Sequence, residues 1–185
     1  MEVASISNGW VNTVDSQKSE IIQQAQRILT TNIYCSIATS SIDGIPWISP
    51  LSFAFNNQIN LYWSSAITSQ HSQNIYSNSG RVAVTIFDSS NPQGVPEGLY
   101  FSGVVQELVA QDVEAVLPLF AARSRRLVER KAIDYLGDSL RRMYKFQPLL
   151  AWVTGERLAV GNQLVDTKVS VSLSDLKLAM QSTDI

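Results

Sequence analysis

The stretch IYCSIATSSIDGIPWISPLSFAF, residues 33 to 55, decides the fold. Two runs rich in β-branched and aromatic residues, 33 to 40 and 45 to 55, flank Asp43-Gly44, a dipeptide suited to a tight reversal. The pattern predicts an antiparallel hairpin. Working outward, Asn56-Asn57 marks the next turn, and QINLYWSS (58 to 65) alternates as a third antiparallel strand. TSQHSQNIYSN (68 to 78) reads as a short helix capped by Thr68 or Ser69, and RVAVTIFDS (81 to 89) as a strand. After a loop with Asn91-Pro92, Gly94 and Pro96 comes GLYFSGVVQELV (98 to 109), a strand with Gly103 at its centre, as at a bulge or barrel corner.

The flanks are more helical. Asp15 to Thr31 opens on capping residues and spaces Ile21, Ile22, Ala25, Ile28 and Leu29 along one helix face. Asp112 to Arg130 places Val113, Val116, Leu117 and Phe120 on one face, and Ser139 to Lys145 reads as another short helix. Two last strands are expected, at 149 to 160 and around 164 to 173. Neither a repeat nor a linker divides the chain. The expectation is one domain over 1–185, a small antiparallel β-barrel with α additions, with 1–14 and 174–185 as flexible tails.

Composition narrows the function. With 45% hydrophobic and 16% charged residues, the chain of 185 residues is that of an ordinary globular protein. A net charge of -2 argues against a nucleic-acid binder. The lone Cys35 cannot form an internal disulfide and fits a reducing cytoplasm, and no apolar run is long enough to span a membrane. One histidine, one cysteine and scattered carboxylates predict no protein-only metal site.

Several motifs mislead. Gly137-Asp138-Ser139-Leu140 spells a hydrolase signature, but the only histidine, His71, precedes it, so Asp138 or Ser139 reads better as a helix cap. No G-x-S-x-G, G-x-G-x-x-G or P-loop pattern occurs. Of the 14 Lys and Arg residues, eight fall between 123 and 145, whereas 28 to 122 contains only Arg81. The later cluster, including RSRR (123 to 126), reads as a solvated helix face, or as arginines reaching an anionic ligand.

The succession SIATSSIDGIPWISPLSFAF, INLYWSSAITSQHSQNI, RVAVTIFDS and GLYFSGVVQEL resembles the pyridoxamine 5'-phosphate oxidase-related FMN-binding split-barrel proteins, over residues 17 to 160 and most strongly between 33 and 109. The resemblance implies an antiparallel split β-barrel with peripheral helices. It also implies a homodimer with FMN in clefts at the interface, and a flavin-dependent oxidoreductase acting on a small molecule. On the matching positions it implies cofactor contacts from Ser49, Pro50, Leu51, Trp63, Ser64, Ser69, Gln70, His71 and Arg81, and from Trp152, which resembles a late tryptophan brought near the flavin by the partner subunit. A helix start can hold a phosphate on its unpaired N–H groups with few full charges.

Two departures stand out. The family's Ser-Arg-Lys motif corresponds to Ser69-Gln70-His71, so both cations are replaced, which leaves His71 as a phosphate donor with Arg81 as the local cation. The Arg-x-His segment that holds vitamin B6 substrates in true oxidases has no counterpart in VTGERLAVGNQLVDT. No side chain stands out as a general acid or base, which suits cofactor-centred chemistry. It suits equally a non-catalytic flavin- or haem-binding sensor or storage protein, with His71 as an iron ligand, or a barrel that binds neither. A deazaflavin in place of FMN also stays open.

Overall fold

The computed structural model describes residues 5–8, 18–90, 97–123 and 130–182. The quoted stretch forms β1 (Tyr34–Ser40) and β2 (Pro46–Ser52), paired antiparallel with Ala38 opposite Ile48, followed by the two-residue β3 (Ala54–Phe55). At the turn, Gly44 N donates to the Ser41 carbonyl and Ser41 N to that of Ile45. The third strand, β4 (Leu61–Ala66), leads into α2 (Gln70–Ser77), which follows α1 (Lys18–Thr31) in chain order. Then come β5 (Arg81–Phe87), β6 (Gly98–Glu107), α3 (Ala110–Arg123), β7 (Arg141–Thr154), β8 (Leu158–Val160), β9 (Gln163–Val165), β10 (Lys168–Ser170) and α4 (Leu173–Gln181).

The main sheet runs β2-β1-β5-β6-β7-β4-β3, with β10 also on β7, and β8 and β9 form a separate pair. The architecture is mainly β with α additions, as expected. Two compact units emerge, one from residues 33–84 and 102–149, the other from 1–32, 85–101 and 150–185.

In the first unit, β1 sends Cys35, Ile37 and Thr39 inward and leaves Tyr34 and Ala38 exposed, the period of two of a half-buried strand. Leu61, Trp63, Tyr144 and Phe146 are fully buried, each worth about 1.5–3 kcal/mol of transfer free energy. The predicted face of α3 closes over this core with Val113, Val116 and Phe120 beside Tyr62, Tyr135 and Met143. Gly80, at φ 69, ends α2, and its Cβ position lies 2.2 Å from the Val105 carbonyl oxygen, so only glycine fits where the chain turns into β5.

β2 is a free edge. Phe53 N donates to the Ile33 carbonyl, which fixes the odd-numbered residues of β2 as the rungs bonded to β1 and turns the even-numbered ones, Pro46 and Pro50 among them, outward.

In the second unit α1 and α4 pack together, with Gln26 Nε2 donating to the Ala179 carbonyl at 3.3 Å. Arg27 and Glu97 form a two-pronged ion pair at 2.7 and 2.9 Å.

Several boundaries differ from expectation. Ser139 to Lys145 is no helix: after a turn at Gly137, β7 begins at Arg141. Leu, Arg, Met and Lys favour helix locally, but pairing with β4 from Leu61–Phe146 to Ala66–Arg141 overrides that preference. The strands expected at 149 to 160 and 164 to 173 are instead the end of β7 and three short strands. The tail expected from 174 contains α4, capped by Ser172, whose Oγ accepts from Asp175 N at 3.3 Å. Of the other tail, the described residues hold a 3-10 turn at Ile6–Asn8. The expected start of α1 at Asp15, the 91–96 loop and residues 124–129, with Arg125 and Arg126, lie outside the described residues.

Candidate functional site

The junction between β4 and α2 is built by hydroxyls. Ser69 is the N-cap of α2 by backbone geometry, yet its side chain makes no cap hydrogen bond. Its Oγ turns back to donate to the Ala66 carbonyl at 2.8 Å, with Ser72 Oγ 2.9 Å away. With its proton so used, Ser69 can only accept from His71 Nε2, 3.1 Å away, which places the imidazole proton on Nε2. Nδ1 therefore accepts from Ser49 Oγ at 3.1 Å, and Ser49 in turn accepts from Trp47 Nε1 at 3.0 Å.

His71 is thus buried, with both ring nitrogens engaged, and pins α2 to β2. Burial pulls its pKa below the ordinary value, so the neutral form is favoured. Asn74 and Asn78 complete the attachment of α2. They donate to Thr39 Oγ1 at 3.0 Å and Ser40 Oγ at 2.8 Å on β1.

One of the cations of the later basic cluster stands at the junction. Arg141, opposite Ala66, donates to the Ser64 carbonyl at 3.0 Å and Ser64 Oγ at 3.1 Å. The cluster reading allowed an anion contact from it, but residues 139 to 145 read as helix, so its pairing with β4 was not visible.

The expected site residues divide into groups. Ser49, Ser64, Ser69, Gln70 and His71 gather around the β4-to-α2 junction. Gln70, exposed, donates to Asn74 Oδ1 at 2.9 Å. On β2, Ser49 and Leu51 share one face while Pro50 faces the other way. Trp63 is fully buried and stacked on Tyr144, so its side chain is closed to a ligand and only its backbone faces the strand edges. Arg81 enters after the far end of α2, about 12 Å along the helix from Gln70. It borders a cleft of about 670 Å³ with Ala38, Ser40, Ser102, Val104 and Leu149. Trp152 belongs to the other unit, buried on β7 opposite Ser170, and Arg157 there pairs with Asp166 at 2.7 Å.

Of the RSRR cluster, Arg123 donates to the Phe53 carbonyl at 3.1 Å and lies over the Phe53 and Phe55 rings, a packing role. Ser139 Oγ donates to the Asp134 carbonyl and accepts from Arg141 N, which makes it part of a turn rather than a nucleophile. Among the described residues no group of three His, Cys, Asp or Glu could hold a metal, and no helix is long and apolar enough to cross a membrane.

Comparison with known proteins gives a consistent fold. A protein of unknown function from Agrobacterium tumefaciens superimposes with TM-score 0.61 at 18% identity, over 83% of this chain and 63% of that one. A heme binding protein from Mycobacterium smegmatis does so with TM-score 0.61 at 13% identity, over 90% and 62%. An FAD-binding protein from Mesorhizobium loti gives 0.54 at 16%, over 76% and 94%. This chain spans less than two thirds of the length of the first two. No curated protein matches its sequence. The family model described as pyridoxamine 5'-phosphate oxidase matches residues 21–151, the span that holds the β4-to-α2 junction. The fold is the antiparallel split barrel expected from the sequence, and the chain belongs to the pyridoxamine 5'-phosphate oxidase family.

Proposed function

We propose that this chain binds FMN at the β4-to-α2 junction and is a flavin-dependent oxidoreductase acting on a small molecule. The observation that carries the reading is the start of α2, where the N-cap hydroxyl of Ser69 is turned away and caps no N–H group. An anion suits such a helix end, whose first-turn N–H groups and dipole favour negative charge. Arg141, held on Ser64, supplies the full charge that Gln70 and His71 do not. Ser69, Ser64 and Arg141 would hold the phosphate, with Ser49 and Leu51 on the adjacent strand bordering the rest of the cofactor.

When bound, the flavin supplies the redox chemistry, and the chain binds, orients and shields it. His71 serves as the strut that keeps α2 and β2 in place for that task. Both its nitrogens are occupied, which favours a flavin over a haem ligated by this imidazole. The missing Arg-x-His segment points to a substrate other than a vitamin B6 phosphate. A homodimer with the cofactor at its interface is part of the proposal, supported by exposed Tyr34, Ile48 and Leu149 and the open cleft beside Arg81. Buried, unpaired Cys35 supports a reducing cytoplasm as its setting.

The absorption spectrum of the purified protein, before and after reconstitution with FMN, tests the reading. A flavin band pair with a thermal shift is expected. A Soret band, or no bound flavin and no shift, overturns it. Bound flavin that no electron donor reduces faster than free FMN removes the enzyme and leaves the binder.

A further inference from the structure

Trp63 on β4, Tyr144 on β7 and Tyr76 on α2 form a set of aromatic residues that the proposed function does not use. Trp63 and Tyr144, both fully buried, stack with ring centroids 6.0 Å apart and planes 22° from parallel. Tyr76 on α2, 46% exposed, lies with its ring 6.3 Å from that of Tyr144, and the two hydroxyls are 2.7 Å apart. Tyr76 donates to Glu107 Oε2 at 2.6 Å, so the bond between the tyrosines runs from Tyr144 to Tyr76. Glu107 Oε1 is paired with Arg142 at 3.0 Å. The direction is therefore continuous, from the buried ring to a surface carboxylate.

We propose that Trp63, Tyr144 and Tyr76 form a hole relay that drains one-electron oxidation from the core to the surface, ending as a neutral Tyr76 phenoxyl with its proton on Glu107. The oxidant is a one-electron acceptor of the peroxyl-radical class, and it takes one electron from the Trp63 indole. Trp63 Nε1 has no hydrogen-bond partner among the described residues, so the oxidised indole has nothing to receive its proton and the hole stays mobile. One electron then passes from Tyr76 through Tyr144 to Trp63, which is restored. As that electron leaves, the Tyr76 O–H bond breaks and its proton moves 2.6 Å to the Glu107 carboxylate. A solvent thiol returns a hydrogen atom to Tyr76, Glu107 releases its proton to water, and the relay is reset. Burial and the adjacent Glu107 hold the Tyr76 phenol well above its ordinary pKa, so loss of the proton alone does not compete.

The experiment is ultraviolet photoionisation of tryptophan in the full chain, followed by transient absorption and electron paramagnetic resonance. The wild type should convert tryptophan radical to phenoxyl. Trp63→Phe and Tyr144→Phe should each slow or reduce phenoxyl formation several-fold, and Glu107→Gln should slow it while leaving the tryptophan radical. Tyr76→3-fluorotyrosine, which keeps the hydroxyl and the fold, should add fluorine hyperfine splitting to the phenoxyl signal. A phenoxyl without that splitting, or one unchanged in Tyr144→Phe, overturns the relay. No flavin is needed, so the result stands apart from the test of FMN binding.

Discussion

Ser49 Oγ meets His71 Nδ1 at 3.1 Å, and this one contact ties the edge strand β2 to the first turn of α2. With Ser69 on the other ring nitrogen, the imidazole spans the candidate site as a neutral strut. His71→Ala removes both bonds and leaves buried hydroxyls without that partner. We expect a loss of about 2–4 kcal/mol in stability by chemical denaturation, and equal weakening of FMN and riboflavin. Selective loss of FMN would instead make His71 a phosphate ligand.

Arg141→Gln separates charge from packing. If Arg141 holds the phosphate, FMN affinity should fall by about 1.5–3 kcal/mol while riboflavin affinity is nearly unchanged. Titration of both ligands by flavin fluorescence quenching reads the difference. Equal affinities with and without the substitution would move the phosphate elsewhere.

The His71 pKa is lowered by burial. The unfolded chain, with an ordinary histidine at about 6.5, takes up a proton before the folded one does. Stability is therefore complete above that value and declines as the pH falls below it toward the folded-state pKa. Denaturation midpoints at about pH 8 and about pH 5 should differ more in the wild type than in His71→Gln.

Gly103 sits on β6 where a Cβ would lie 2.2 Å from the Gln147 carbonyl oxygen and 2.8 Å from the Phe146 ring. Gly103→Ala should cost about 3 kcal/mol and lower Tm by roughly 6–12 °C, read by thermal unfolding.

Burial pushes the Cys35 thiol up to about 12, so it should resist an aromatic disulfide reagent in the folded protein and react only on unfolding. Thiol release measured with and without denaturant checks this.

The sequence made the hairpin, the β4-to-α2 junction and the start of α2 at Ser69 legible because each rests on local signals: Asp43-Gly44, the alternation in 58 to 65, and a small hydroxyl residue before a helical run, even though the Ser69 hydroxyl itself caps no N–H group. Long-range pairing was not legible. In the stretch from Arg141 to Lys145 all but Tyr144 favour helix, and pairing with β4, nearly eighty residues earlier, makes it a strand. The place of Arg141 beside Ser64 was hidden for the same reason. Arg81 and Ser69 are close in sequence, but α2 lies between them as a rigid spacer. The internal bonds of His71 depend on Ser49, which no spacing rule connects to it.

The outward prolines of β2 have a consequence for how molecules of this chain can meet. Along the free edge, Ile48 and Ser52 retain N–H groups, while Pro46 and Pro50 offer none. A guest strand laid along that edge would find every second N–H donor missing, which weakens any extension of the sheet from one molecule into the next. Fibre-like growth is discouraged on this side, which favours assembly by side chains meeting face to face.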